Sequence, residues 1–438
     1  MNNRKIIFFI IFILTVALRL YRIDAPLGDW HSWRQSDTAS VARNYLKFGF
    51  DPLRPRYDDL SSIPSGLDNP MGYRMVEFPL YQLISAGLAK TFPQYSVEVW
   101  LRLVTVAAAA GTAVLLSRIN LVAGFVYAVL PYSIFFGRTI LPETFAVFWA
   151  ILSLSLLPKR VVLAAIAGAL ALLVKPTTGF LLLPVVYLLR RNIIQLFFYS
   201  VISLLPFVLW RQWISQFPEG IPAYTWLLNS NNIRFKGAWF HWLFAKRIGE
   251  LMLGFWGLIP FALGISAFWG IGALLYLVVF ATGNVQHDYY QILLLPAVCI
   301  FVGKGLRRLP WFLASVSFLF MLAFSWYTIR TYYWINRPDI VEAGKLADQI
   351  LPKNAKVIAP YNGDTTFLYQ TNRQGWPIGF DIEKKLKMGA TAYVTVSPTD
   401  NDTETKQLAN CYTVLVRNDR YAIIDLTKPT KICTITNP

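Results

Sequence analysis

A succession of apolar runs, separated by short polar or basic turns, constrains this chain more than any other feature. They occupy residues 6–17, 99–117, 120–136, 143–157, 161–174, 178–189, 193–210, 251–268, 269–282, 290–303 and 310–327. One membrane-crossing helix needs about twenty apolar residues, so the pattern predicts a polytopic α-helical membrane protein of about eleven spans. Composition excludes a string of soluble domains: hydrophobic residues make up 55% of the 438 and charged residues only 15%, where a soluble chain carries about 25% charge.

The first run follows Arg4 and Lys5, and no small-x-small cleavage site comes after it, so it reads as an uncleaved span. Residues 24–74 then break the apolar pattern with Asp, Arg, Pro, Ser and Gly around one amphipathic stretch at 38–48. Residues 77–92 are apolar for only about a dozen positions, too few for a span, and read as a helix lying in the interface. Together 24–98 form an unusually long first outer loop.

The net charge of +17 would suit a phosphate-rich partner, but Lys and Arg also collect in cytoplasmic loops and beside anionic headgroups. The membrane explanation is preferred and no nucleic-acid partner is expected. With the N-terminus in the cytoplasm and the spans alternating, the cytoplasmic turns contain Arg118, then Lys159 and Arg160, then Arg190 and Arg191, then Lys304, Arg307 and Arg308, with no acid among them. This gives a multi-pass protein of the plasma (cytoplasmic) membrane with an extracytoplasmic C-terminus. Residues 1–330 form the transmembrane domain and 331–438 a small α/β domain. The latter has a helical pattern at 340–350 and β-rich runs at 356–359, 392–396, 412–416 and 421–426. Of the three cysteines, Cys299 lies in an apolar run, and Cys411 and Cys433 pair only if their domain is in an oxidising compartment.

The unusual polar groups all fall on the outer side under this topology. Asp37 lies in WRQSDTASVARNYL (33–46), where it reads either as the cap or first-turn acid of a helix or as a general base for an acceptor hydroxyl. Arg138 and Glu143 stand at the outer entrance of a span, as an anchoring ion pair or as functional groups at membrane depth. Lys175, between two apolar runs, either snorkels or contacts a phosphate. His287, Asp288 and Tyr290 precede Pro296; a belt of interfacial aromatics explains the tyrosines alone. Trp226, Trp239, His241 and Trp242 in the loop 211–250 suit either such a belt or sugar stacking.

In this order, over nearly the whole chain, these motifs resemble the GT-C membrane glycosyltransferases. In particular they resemble glycosyltransferase family 39, which includes the protein O-mannosyltransferases and lipid A aminoarabinose transferases. The resemblance rests on the first-loop acidic motif, Glu77 with Pro79 and Leu80, the Arg-x-x-x-Pro-Glu of 138–143, Lys-Pro-Thr at 175–177, His-Asp-Tyr-Tyr at 287–290, and an outer C-terminal domain. It implies a polyprenyl-phosphate sugar as donor, with a protein, lipid or glycan as acceptor. It implies Asp37 as the catalytic carboxylate and Glu143 as a second acid. Two departures stand out: Thr38 follows Asp37 where the family usually has Glu, and Glu143 replaces a commoner Asp.

The chemistry then needs a base for the hydroxyl and charge stabilisation for the departing phosphate. Asp37 is assigned the first task. Arg138 and Lys175, with hydrogen bonds from His287 and Tyr290, are assigned the second. Arg34, Glu77 and Asp288 are placed in support. No metal ligands are assigned; a divalent cation is compatible but not required, because two cations already face the phosphate. Asp400-Asn401-Asp402 reads as a surface turn rather than a nucleotide-sugar site. The alternative from another class is a lipid-linked sugar flippase or transporter, although no internal repeat of the kind transporters show is visible. A reporter active only in the cytoplasm is expected to function when fused after Arg191 and to fail after Arg330; the opposite pattern overturns the orientation.

Overall fold

The computed structural model describes residues 3–398 and 402–430. The chain forms two compact units, each discontinuous in sequence. A helical unit comprises Met1–Asp24, Glu77–Trp213 and Ala223–Tyr333; a sheet unit comprises Ala25–Val76, Ile214–Pro222 and Trp334–Pro438.

In the helical unit every apolar run is helical over most of its length, but fewer run unbroken than the expected count of about eleven. Among the described residues, four helices are long and apolar enough to cross a membrane alone: Val97–Ile119, Ile193–Ile214, Asp288–Leu306 and the helix that begins at Trp311. Leu258–Gly264 and Ala267–Val279, bent by 116°, make a fifth if they are one broken span. Elsewhere proline interrupts the pattern. The run 120–136 divides into Leu121–Val129 and Pro131–Phe136. The run 178–189 opens in the 3₁₀ turn Pro176–Gly179 and is α-helical only over Pro184–Leu189. The expected interfacial helix is present as Leu80–Thr91.

A helix broken in an apolar medium leaves backbone carbonyls that must find other donors. Pro131 has no N–H for the carbonyl of Tyr127, four residues earlier. Arg19, fully buried at the end of Asn3–Arg19, supplies the missing donor. Its Nη2 donates to Tyr127 O at 3.1 Å and to Ser133 Oγ at 2.7 Å, and its Nη1 to Ala128 O at 3.0 Å. Small residues set the helix spacing. A Cβ on Gly305 would fall 1.7 Å from Pro260 O, and one on Gly264 1.8 Å from Phe301 O, so Leu258–Gly264 and Leu295–Leu306 touch backbone to backbone.

The sheet unit is built on five strands, β1 Lys356–Ile358, β2 Gln374–Trp376, β3 Ala392–Thr395, β4 Tyr412–Arg417 and β5 Ala422–Pro429, in the order β2-β1-β3-β5-β4. β1 is parallel to β2 and β3, and β5 is antiparallel to β3 and β4. Side chains alternate across the sheet. Val357, Val394 and Ile423 enter one core with Ile340, Ala343 and Phe367, while Ile358, Tyr393 and Ile424 enter a second with Trp376, Ile382 and Leu408. Four strands match the β-rich runs; the three-residue β2, too short to show a periodicity, was not expected.

Leu60 belongs to the second core, so part of the long first loop is an integral piece of this sheet. Asp59 bridges Gly375 of β2 in parallel register, with Leu60 N donating to Gly375 O at 2.7 Å and Gly375 N to Asp58 O at 2.9 Å. Cys411 is disulfide-bonded and Cys299 is free and buried; Cys433 lies outside the described residues. So do Asp400 and Asn401, while Asp402 caps the helix Thr403–Cys411.

A Cβ at Gly375 would meet Val357 O at 1.7 Å. Gly375→Ala is therefore expected to destabilise the sheet unit by about 1–3 kcal/mol, read as a lower thermal midpoint and faster proteolysis within 25–76. A wild-type midpoint would refute this packing.

Candidate active site

The sequence-assigned residues fall into both units, and each set is built locally. In the sheet unit the helix Ser32–Phe48 carries a polar buried face, with Arg34, Gln35, Ser36, Asp37, Thr38, Ser40 and Asn44 all buried. Such residues are seldom buried without partners. Its N-cap is His31, held in the left-handed region at φ 57°. Asp37 is therefore neither cap nor first-turn acid: it lies in the second turn of a helix that starts at Ser32, five residues before it. The expectation failed because the helix begins in a Ser-Trp-Arg segment with no apolar periodicity.

Asp37 is 5% exposed. Its Oδ2 is ion-paired with Arg74 Nη2 at 2.9 Å, and its Oδ1 accepts from Thr365 Oγ1 at 2.7 Å. The same Thr365 hydroxyl lies 3.1 Å from Trp33 O, so its single proton has two acceptors in reach. The Arg74 guanidinium lies 5.1 Å from the centre of the Tyr57 ring. Asp59 is buried beside this group and accepts from Ser61 N at 2.8 Å. Burial pushes the Asp59 carboxyl up to about 7, against the help of hydrogen bonds from Ser61. Arg43 pairs with Asp58, which also accepts from Asn44 Nδ2 at 3.0 Å.

In the helical unit, Pro142–Leu156 and Val161–Val174 run as consecutive packed helices. This brings the first turn of one, with Glu143, beside the end of the other, where Lys175 follows. Each charge also suits the helix end it occupies. Lys175 Nζ donates to Glu143 Oε1 at 2.5 Å; Glu143 is 1% exposed, and its Oε2 has no hydrogen-bond partner among the described residues. Lys175 Nζ also lies 5.5 Å from the Tyr290 ring centre. The His287 ring stacks on Tyr289 and Tyr290, with centroids 5.4 and 6.0 Å away, and meets Trp226 edge-on at 5.7 Å. Glu143, Lys175, Tyr290 and His287 thus form one continuous chain of contacts.

Asp288 is buried alongside, accepting from Tyr332 Oη at 2.5 Å with Arg247 Nη1 at 3.6 Å. The Arg138 guanidinium donates to Arg22 O at 3.2 Å and lies over the Tyr333 ring at 4.8 Å. Glu77 is buried just ahead of the helix Leu80–Thr91. Of the aromatic loop, Trp226 reaches His287, while Trp239 is buried at 1% exposure. Among the described residues, no three His, Cys, Asp or Glu side chains gather as metal ligands would.

Sequence reasoning missed Arg74, Thr365, Asp59 and Arg247. Arg74 stands three residues before Glu77 and could have been noticed there; Thr365 has no linear signal, being 328 residues from its partner Asp37.

Compared with solved structures, the chain resembles ArnT from Cupriavidus metallidurans in the apo state, at a TM-score of 0.64 and 12% identity over 95% of this chain and 97% of that one. The crystal structure of that ArnT bound to undecaprenyl phosphate gives 0.62 and 12% over 96% and 97%. The apo oligosaccharyltransferase of Archaeoglobus fulgidus gives 0.56 and 11% over 94% of this chain and 73% of that one. The chain shares the fold of ArnT and of this oligosaccharyltransferase. It is a multi-pass helical membrane protein with a small C-terminal mixed-sheet region. No protein-family model and no curated protein matches this chain.

Asp59 supplies a pH test of the sheet-unit site. Its folded value, about 7, lies above the ordinary 3.8. Its contribution is fully present below about 3.8 and is lost as pH rises through about 7, because the unfolded chain releases the proton first. Unfolding midpoints across this window are expected to fall by the equivalent of a few kcal/mol in order of magnitude, and Asp59→Asn to flatten that slope. An unchanged slope in the variant would place the titration elsewhere.

Proposed function

We propose that this chain is an integral-membrane glycosyltransferase that moves a sugar from a polyprenyl-phosphate donor to a hydroxyl acceptor on the outer face of the membrane. The observation that carries the reading is a buried carboxylate, Asp37, held by both oxygens within a GT-C fold. The donor class is supported by the undecaprenyl phosphate in the ArnT structure that this chain resembles over 96% of its length.

In this scheme the acceptor oxygen attacks the anomeric carbon, the bond from that carbon to the phosphate oxygen breaks, and its electron pair leaves with the polyprenyl phosphate. The attack comes from the face opposite the leaving group, so the anomeric centre inverts. The acceptor's proton passes to Asp37 Oδ1. Thr365 frees that oxygen by turning its hydroxyl to Trp33 O, while Arg74 holds Oδ2 and keeps the carboxylate from rotating.

On the donor side Lys175 offers its charge to the phosphate, with His287 and Tyr290 as hydrogen-bond donors in the same chain of contacts. Glu143 acts through Lys175, fixing the ammonium before the donor arrives. Asp288 orders the adjoining segment through Tyr332 and Arg247. Arg138, over the Tyr333 ring, adds its positive charge for the phosphate, and Arg34 supports the Asp37 helix from within its buried face.

The test is mass analysis of products from purified protein given a panel of polyprenyl-phosphate sugars and hydroxyl acceptors. Asp37→Asn is expected to lower turnover roughly 10²–10⁴-fold, the usual share of a general base, in a protein that still folds but with a lower thermal midpoint, since Arg74 loses its counter-charge. Lys175→Met is expected to raise the donor KM more than it lowers acceptor affinity. Movement of a lipid-linked sugar across vesicles by both wild type and Asp37→Asn, with no transfer product, would instead establish the transporter.

A further inference from the structure

The sheet unit contains a polar cleft of about 290 Å³ that the scheme above leaves unused. One wall is the segment 28–33; the other is formed by Asn336, Arg337, Ile340, Tyr361 and Asp364. Trp30 is 40% exposed and meets His31 edge-on at 5.3 Å. Across the cleft the Arg337 guanidinium lies 5.7 Å from the Tyr361 ring centre and is fixed by Asp339, with Nε to Oδ1 at 2.9 Å and Nη2 to Oδ2 at 2.5 Å.

The first wall is held in a conformation it would not adopt unaided. His31 has φ 57°, uncommon for a residue with a side chain. Gln35 Nε2 ties the segment through Asp29 Oδ1 at 2.7 Å and Trp30 O at 3.0 Å, and Gln370 Nε2 donates to Leu27 O at 2.6 Å. Strain maintained by so many bonds is characteristic of ligand clamps. The cleft also approaches the reacting carboxylate. Asp364 lines it, and the next residue, Thr365, is the one bonded to Asp37. Burial, and more weakly Asp37 itself, raises the Asp364 carboxyl above its ordinary value.

The lining chemistry selects among acceptors. An extended peptide docks most readily along a free strand edge, and only loop and helix-end residues line this cleft. A polyprenyl chain would need an apolar groove. Aromatic rings that offer a face, interleaved with carboxylate, amide, imidazole and guanidinium groups, instead suit a pyranose ring: its C–H face lies on an aromatic and its hydroxyls bond to fixed polar groups. We propose that the cleft binds the acceptor, and that the acceptor is a carbohydrate ring presenting a hydroxyl to Asp37. The inference rests on the transferase reading for its role and on the cleft alone for its ligand class.

Binding is measured first, without donor, on the full chain in nanodiscs carrying Asp37→Asn. The probes are methyl glycosides and short oligosaccharides, the same sugars as glycolipid headgroups, and a Ser/Thr peptide, followed by saturation-transfer NMR and tryptophan fluorescence. At least one sugar is expected to bind, and the free and lipid-borne arms tell which form is taken. Trp30→Ala and Tyr361→Ala should each weaken binding roughly tenfold, and Tyr361→Phe should restore it. Binding of the peptide alone, or sugar binding indifferent to both alanine variants, overturns the proposal.

Turnover by otherwise wild-type protein separates the two readings. An acceptor KM raised by Tyr361→Ala with the donor KM unchanged supports both. Turnover with an unaltered acceptor KM in both alanine variants overturns the cleft and leaves the transferase. Sugar binding lost in those variants, with no turnover from any donor, keeps the cleft as a carbohydrate site and overturns the transferase.

Discussion

Charge taken out of water must be met by opposite charge or by hydrogen bonds, and this requirement organises both units. Asp37 can be buried because Arg74, itself only slightly exposed, pairs with it and Thr365 donates to it. Glu143 is buried because Lys175 reaches it. Removing one member of such a pair leaves the other uncompensated in a poorly solvated site, which is destabilising. Arg19 applies the same rule to the backbone, closing the carbonyls that Pro131 leaves open.

The two kinds of pair have different structural origins. Glu143 and Lys175 meet because two consecutive helices pack side by side, a local event requiring only about thirty residues of chain. Asp37 and Thr365 meet only because the first loop is part of the C-terminal sheet: Asp59 bridges β2, Leu60 fills a core below β1 and β3, and Arg43 stacks on Tyr369 at 3.7 Å. A loop that looks like an insertion between spans is thereby an integral part of a folded unit. That explains its length and its wealth of polar residues: they are partners for the sheet.

Much of this was legible beforehand in particular residues. The apolar runs marked the helices, and Val357, Tyr393 and Ile423 lie in stretches whose β-rich composition marked strands. Lys175 and His287 stood out because ionisable groups are rare beside apolar runs. The start of the Asp37 helix was not legible, since Ser32, Trp33 and Arg34 carry no helical periodicity; what ties that helix into its unit is the pairing of Asp37 with Arg74 and Thr365 and of Asn44 with Asp58. Nor were the breaks at Pro131 and Pro184 read as such, because a window of average hydropathy passes over a single proline.

By itself the sequence determined that this chain is a multi-pass helical membrane protein with a folded polar tail, because hydrophobic length and charge distribution are properties of composition along a line. It also marked which carboxylates and cations were unusual. Only the tertiary structure decided their partners: Arg74 and Thr365 for Asp37, Lys175 for Glu143, Arg247 and Tyr332 for Asp288. Those choices depend on which buried groups are left needing a hydrogen bond once the helices and the sheet have packed.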